Sequence, residues 1–394
     1  MMLRASSFVV TAALLAGCSP EEVVNPTGAR FEGYQQVVPF VAPPAGVETQ
    51  NANNNLDVVR HEGRVYLAFR TAPSHFASAK TVLYVVSSED QETWRYETHV
   101  AMGTDLREMR LLSLEGKLVL YFAVLGSDPL DFEPQGMMAM TYEGGAWSEP
   151  APLYEPGFIP WRAKVLDGAA YLVGYVGGEN IYDFDGEPIR IHLLRTEDGR
   201  TFEPLVPGRP VVQEGGGSET DFVFLAQGDL LAVQRNEAGD ALGFGSKICR
   251  AKAADLGAWT CKPDKKKYDS PLLFRSGDDV WLIGRRNLTE TGNFDLDRDD
   301  LSLADQAGVY AVEYSFQPKR CALWRVDPES LTVSFELDLP SRGDTCFASI
   351  VPAGEGAYDV YNYTSPLDGD AEPRWIEGQG GPTLIYRVRL DVPR

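Results

Sequence analysis

The chain has 394 residues, 44% of them apolar and 11% aromatic, with 38 Gly and 26 Pro. Such a composition supports a large buried core and excludes an extended disordered or collagen-like chain. Against 36 basic residues stand 57 acidic ones, a net charge of -21 whose field repels phosphate backbones and anionic lipid head groups, so nucleic acid is not an expected partner.

In chain order, Arg4 precedes an apolar stretch from Phe8 to Ala16, followed by Gly17 and Cys18. A positive start, a short apolar run and small residues before a cysteine make an export signal, and the run is too short to span a bilayer as a helix. Leu15, Ala16, Gly17 and Cys18 together resemble the lipobox of bacterial lipoproteins. The resemblance implies removal of residues 1–17, acylation of Cys18, and a cell-envelope protein whose membrane contact is the lipid anchor alone. Ser19 stands where inner-membrane lipoproteins carry an acidic residue, which implies the outer membrane. Residues 18–30, with Pro20, Glu21, Glu22, Pro26 and Gly28, read as a tether.

From residue 31 to 394 the apolar runs are four to eight residues long, rich in Val, Leu, Tyr and Phe, and bounded by Gly, Asp, Asn or Pro. This is the signature of strands. Helical spacing is confined to a short turn around Ser302 to Ala307. The strands recur in a fixed order: polar start, apolar strand, Gly or Asp turn, second strand, third strand, and a turn ending in an aromatic. "HEGRVYLAFR" with "TVLYVVSSEDQETW", "LEGKLVLYF" with "GMMAMTYEGGAW", and "LDGAAYLVGY" with "IHLLRTEDGRTF" are the first three copies. "LAQGDLLAVQR" with "SKICRAKAADLGAW", "RSGDDVWLIGRR" with "CALWRVDPESLTVSF", and "GEGAYDVYNY" with "TLIYRVRL" are the others. Starts at Leu56, Asp105, Trp161, Glu219, Asp269 and Asp344 define six copies of one four-stranded antiparallel sheet. A lone sheet of this kind leaves its faces open, whereas a ring of six buries them, so the fold expected is all-β, a six-bladed β-propeller in a single domain and a monomer. The sixth copy is one strand short, and Tyr34 to Val41 is left over. We expect that run to pair with 383–390 and close the ring.

Four cysteines remain once Cys18 is set aside: Cys249, Cys261, Cys321 and Cys346. Of their three possible pairings the expected one joins Cys249 to Cys261 across a turn between strand-like segments, leaving Cys321 for Cys346. Each bridge would contribute about 2 to 4 kcal/mol in an exported protein.

Two third-to-fourth strand turns, "SSEDQETW" (Ser87 to Trp94) and "RTEDGRTF" (Arg195 to Phe202), resemble the Asp-box, S-x-D-x-G-x-T-W, also called the BNR repeat, of sialidases and related propellers. Ser87, Thr93, Trp94, Gly199, Thr201 and Phe202 match, while Glu89 and Glu197 stand where the Asp belongs and Gln91 where the Gly does. The resemblance covers roughly residues 50 to 392 and implies a sialidase-like propeller. It speaks for fold, since these boxes lie far from the axial mouth in that family.

In a propeller the strand nearest the axis opens each blade, so polar residues at the copy starts are expected to converge on one mouth. They are Asn55 and Asp57, Asp105 and Arg107, Arg162 and Lys164, Glu219 and Asp221, Asp269 and Ser270, and Asp344 and Thr345. Carboxylates with guanidinium groups suit a glycan: the former accept paired hydroxyls or act as acid and base, the latter clamp an anion. Catalysis is therefore assigned to a pair among Asp57, Glu219, Asp221, Asp269 and Asp344, and ligand binding to Arg107, Arg162, Arg235 and Tyr363. Sialidases use three arginines, a Tyr nucleophile activated by Glu, and an Asp. Glu219 and Arg235 fall where that family has its Glu and one Arg, but "LDVV", Leu272 and "DTCFAS" replace the other two arginines and the Tyr segment. Tyr361 or Tyr363 would have to stand in.

No metal or cofactor is expected. Asp295, Asp297 and Asp299 lack the Gly and Glu of a calcium loop, and His61, His75, His99 and His192 show no ligand spacing. Lys265 to Lys267 reads as an exposed turn, and Trp161, Trp281, Trp324 and Trp375 as core unless they face the mouth. Two functions fit: an envelope-anchored, glycosidase-like enzyme, or a non-catalytic surface module for glycan or protein.

Overall fold

The computed structural model describes residues 23–24, 28–129, 131–177, 187–369 and 371–393. Cys18, its acylation and most of the tether lie outside the described residues. Six antiparallel sheets form a ring, a six-bladed β-propeller. The innermost strands are Ala52–His61, Leu106–Leu114, Ile159–Leu166, Thr220–Phe224, Leu272–Ser276 and Ser349–Gly354. These open blades 1 to 6 and run side by side about the axis.

The second strands read as unbroken apolar runs because neighbouring blades cover both of their faces. In Lys117–Val124 every residue after the first is buried. Leu83 and Val85 of blade 1 pack on Leu118, Leu120 and Met140 of blade 2, and Leu231 and Val233 of blade 4 on Leu282 and Trp324 of blade 5. Trp161, Trp281 and Trp324 are core residues. Outermost strands such as Arg95–Val100 are half-exposed and carry little apolar signal.

The ring closes as expected, over a longer span. Arg30–Val38 pairs antiparallel with Leu384–Asp391, Arg30 opposite Asp391 and Val38 opposite Ile385. Both disulfides form in the expected pairing. Cys249 and Cys261 sit directly opposite each other in adjacent strands of blade 4. Cys321 ties blade 5 to the loop leading into blade 6.

In the two strand-connecting turns the acid that caps the backbone is one residue later than expected. Asp90 accepts from the amides of Glu92 at 2.9 Å and Thr93 at 2.7 Å, and Asp198 from those of Arg200 at 2.8 Å and Thr201 at 2.7 Å. These amide bonds hold the Asp198 carboxyl down at about 2. Glu89 and Glu197 point outward to Arg95 and Arg195. Gly199 has φ +74°, and a Cβ there would meet Val119 at 2.9 Å, because the Tyr121 hydroxyl of blade 2 donates to its carbonyl.

A second departure is helical. The insertion after blade 5's second strand holds helix α1, Leu303–Ser315, capped by the Ser302 side chain on the Asp305 amide. A second, short helix α2, Trp375–Gly380, follows the second strand of blade 6. Ala307, Tyr310 and Tyr314 of α1 are buried against Phe244 and Phe294. Gly378 lets α2 lie on the loop before blade 6, where a Cβ would come 2.3 Å from the Asp344 amide nitrogen.

Candidate functional site

Innermost strands rise about 3.3 Å per residue, so two residues along the strand shift a side chain roughly 7 Å down the axis. That shift divides the polar residues expected at a single mouth. Asn55, Arg107, Glu219 and Ser270 reach a cavity of about 320 Å³ at one end of the channel. Asp57, Arg162 and Lys164 instead line a separate cavity of about 610 Å³ at the other end. Between the two, the Arg110 guanidinium stacks 4.5 Å from the Phe347 ring and 5.1 Å from Trp161.

At that other end the charges are occupied in joining blades. Asp57 accepts from the Leu111 amide of blade 2 at 2.7 Å and the Ser349 hydroxyl of blade 6 at 2.6 Å. Asp221 takes the Leu273 amide at 2.7 Å and the Lys164 ammonium at 2.6 Å. Arg162 gives its hydrogens to the carbonyls of Ser270, Pro271 and Ala348. Replacing Asp57 by Ala is expected to cost about 1 to 3 kcal/mol by orphaning these donors and to leave ligand affinity at the smaller cavity unchanged. Urea titration alongside a binding isotherm checks both halves.

The smaller cavity is built on strained backbone. Asn55, Glu108 and Ser270, all on its wall, have φ of 41°, 52° and 53°. The first two sit at register shifts in the innermost strands of blades 1 and 2. Left-handed non-glycine residues at such bulges re-aim side chains and persist where the surroundings fix them.

Glu219 is the central acid. Its Oε1 lies 2.9 Å from Arg235 Nη1, and its Oε2 accepts from the Ser270 amide at 2.6 Å. Burial, opposed by Arg235 and reinforced by Asp269 and Glu108, pushes its carboxyl up to about 7. Arg235 also holds Glu237, 3.0 Å away, and lies 3.8 Å from Asp269. Asp269 accepts from Arg285 Nη1 at 2.9 Å and from the Tyr314 hydroxyl at 2.7 Å. Burial disfavours its charge, but Lys267, Arg285 and Arg235 hold the carboxyl down at about 2. Two neighbouring acids thus differ widely in proton affinity, the arrangement that separates a proton donor from a fixed charge.

Behind the cavity wall Asp344 accepts from His75 Nδ1 at 2.7 Å, the Tyr363 hydroxyl at 3.0 Å and Trp375 Nε1 at 3.2 Å. Burial works against its charge, but His75, Arg285 and Tyr363 lower it on balance. Burial also keeps the His75 ring neutral-leaning despite Asp344. Arg107 pairs with Asp105, which Arg70 also holds at 2.7 Å in full burial. Tyr363 lines the cavity, yet burial and Asp344 drive its hydroxyl well above the ordinary value, the reverse of an activated nucleophile. Tyr361 is elsewhere, its hydroxyl donated to Gln91 and its ring against Trp94.

Several residues in or behind the wall escaped the sequence. Lys267, expected in an exposed turn, is buried with its ammonium 2.5 Å from Glu237 and 3.9 Å from the Tyr314 ring centre, because the insertion helix folds over it. Trp375, a core candidate unless it faced the mouth, does face the cavity, as do Ala311 and Ser315 of α1. Arg285 stood in the quoted "GRR" and Glu237 two residues past Arg235 on the same strand face. That i, i+2 spacing was the usable signal for Glu237. Nothing in its surroundings marked His75. Among the described residues no group of His, Cys, Asp and Glu is placed to hold a metal ion. Asp295 and Asp297 are engaged by the Phe244 amide and Lys265.

No family model matches the sequence, and no curated protein does. Solved structures do. A protein of unknown function from Dyadobacter fermentans is 16% identical with a TM-score of 0.57, covering 92% of this chain and 100% of its own. The endosialidase of phage phi92 is 12% identical with a TM-score of 0.57, covering 92% and 69%. The Trypanosoma rangeli sialidase is 11% identical with the same TM-score, covering 91% of this chain, which spans 59% of that enzyme. At these identities the likeness is one of fold, a sialidase-like propeller.

Proposed function

We propose that the smaller cavity binds and processes a carbohydrate, with Glu219 as proton donor. The observation that carries this reading is a buried carboxyl, raised to about 7, on the wall of a cavity that also presents the aromatic residues Tyr175, Phe347 and Trp375. Aromatic faces suit the C–H faces of a sugar ring, and a carboxyl protonated near neutrality suits a glycosidic oxygen. Glu108, on the same wall and bonded to Asn55 Nδ2 at 3.3 Å, is a further carboxyl within the cavity, as are Glu237 and Asp131. Asp269 and Asp344 act from behind the wall, orienting Arg285, Tyr314, His75 and Trp375. The Tyr-nucleophile route of sialidases is not part of this reading, since Tyr363 is locked to Asp344. Cys18 would anchor the propeller in the bacterial envelope as a monomer.

A panel of aryl glycosides and free oligosaccharides, tested for both product release and retention, decides the matter. Turnover supports the proposal. Retention without products favours a non-catalytic binding module, a reading supported by how completely the wall's charged groups are already paired. Neither turnover nor retention would overturn both.

A further inference from the structure

We infer that the smaller cavity selects an uncharged sugar and excludes acidic ones, because each guanidinium on its wall is already neutralised by a carboxylate of the protein. This rests on the carbohydrate reading above and narrows it. A site that grips a sugar carboxylate aims guanidinium hydrogens into open space, as bidentate recognition requires. Here the arginines are committed elsewhere. Arg235 gives Nη1 to Glu219 at 2.9 Å and Glu237 at 3.0 Å, and Nε to the Ser218 hydroxyl at 3.0 Å. Arg285 gives Nη1 to Asp269 at 2.9 Å and Nε to the Thr345 carbonyl at 2.7 Å. Arg107 pairs with Asp105 and donates Nη2 to the His75 carbonyl at 2.6 Å.

An incoming carboxylate would have to displace one of these acids within a buried space, next to Glu108 and Glu237, both on the same wall. Like charges so close are mutually unfavourable, and the displaced acid has no solvent to enter. Hydroxyl groups meet no such conflict. They can donate to the outward lone pairs of Glu108 and Glu219 and accept from groups on the rim, while the ring packs on Trp375 or Phe347. A volume of about 320 Å³ lies at the lower end of small-molecule sites, which suits a short glycan end and not a long chain laid across the mouth.

The test is calorimetric titration of the full chain with methyl glycosides of neutral hexoses, of glucuronic acid and of N-acetylneuraminic acid, at low and high salt. At least one neutral glycoside is expected to bind at least about tenfold more tightly than either acid, with an affinity that salt leaves unchanged. Binding is expected to be lost in Trp375→Ala and weakened in Glu108→Gln. Tighter binding of an acidic glycoside, weakened by salt, overturns the selectivity and leaves the carbohydrate reading standing. No binding by any of the glycosides overturns that reading and the selectivity with it. Neutral binding unaffected by both substitutions places the ligand elsewhere and overturns the inference.

Discussion

Glu219→Gln is expected to lower glycoside turnover by about 10² to 10⁴-fold, the usual contribution of a positioned general acid, with little change in folding stability below about pH 4.5, where Glu219 carries its proton. The amide keeps an acceptor for the Ser270 nitrogen, and Arg235 keeps Glu237. The wild-type rate is expected to hold on the acid side and fall as pH rises through about 7, where Glu219 loses its proton. The variant's residual rate should lack that limb. Linkage gives an independent signature with the same sign. A carboxyl raised above its ordinary value contributes stability that is fully present below about 4.5 and is lost as pH rises through about 7. The wild type should therefore lose stability relative to the glutamine variant between these values, by about 3 kcal/mol for a shift of this size. Thermal melts of both proteins across the range, with rates measured alongside, would contradict the assignment if the two pH profiles were parallel.

Asp269→Ala should be the most damaging single change to the fold around the cavity. It strips the partner from Arg285, 2.9 Å away, and leaves Lys267 at 3.7 Å and Arg235 at 3.8 Å without the charge they share. Removing one member of a buried ionic cluster costs about 3 to 5 kcal/mol, because the remaining charges stay buried. The Tyr314 hydroxyl loses its acceptor as well, so α1 loses a bond to the propeller and its amides should exchange faster. Asp269 is held down at about 2, so its stabilising effect is present above its ordinary value near 3.8 and is lost as pH falls through about 2. The gap between wild type and variant should accordingly shrink in strong acid. An unchanged urea midpoint at pH 7 would show that the network is not what holds this wall.

The blade repeat was legible because second strands buried on both faces stand out as apolar runs between glycine-bearing turns, as in "KLVLYFAV". Ring closure followed from one unassigned run at the start and one missing strand at the end. Helix α1 was not legible beyond its first turn. Leu303 and Val312 are 49% and 57% exposed, so apolar residues on its outer side blur the stripe made by Ala307, Tyr310 and Tyr314. Of the site, Glu219, Asp269, Asp344 and Arg107 were placed at or directly behind the mouth by counting blades, and Arg235 and Tyr363 by the sialidase resemblance. Asp57, Asp221 and Arg162 were not separable from them, because copy starts give the blade of a residue and not its depth along the axis. Arg285, Glu237, Lys267 and His75 depend on which way a strand end or loop turns, which the apolar pattern does not encode.

The closing strand also fixes an orientation. Arg30 lies opposite Asp391, which itself pairs with Ala357 beside Tyr358 on the larger cavity, whereas Val38 lies toward Tyr363 and the smaller one. At that end the polypeptide doubles back, Val24 opposite Arg30 and Val23 opposite Phe31, so three neighbouring strands of the closing blade are clasped at one rim and would fray together.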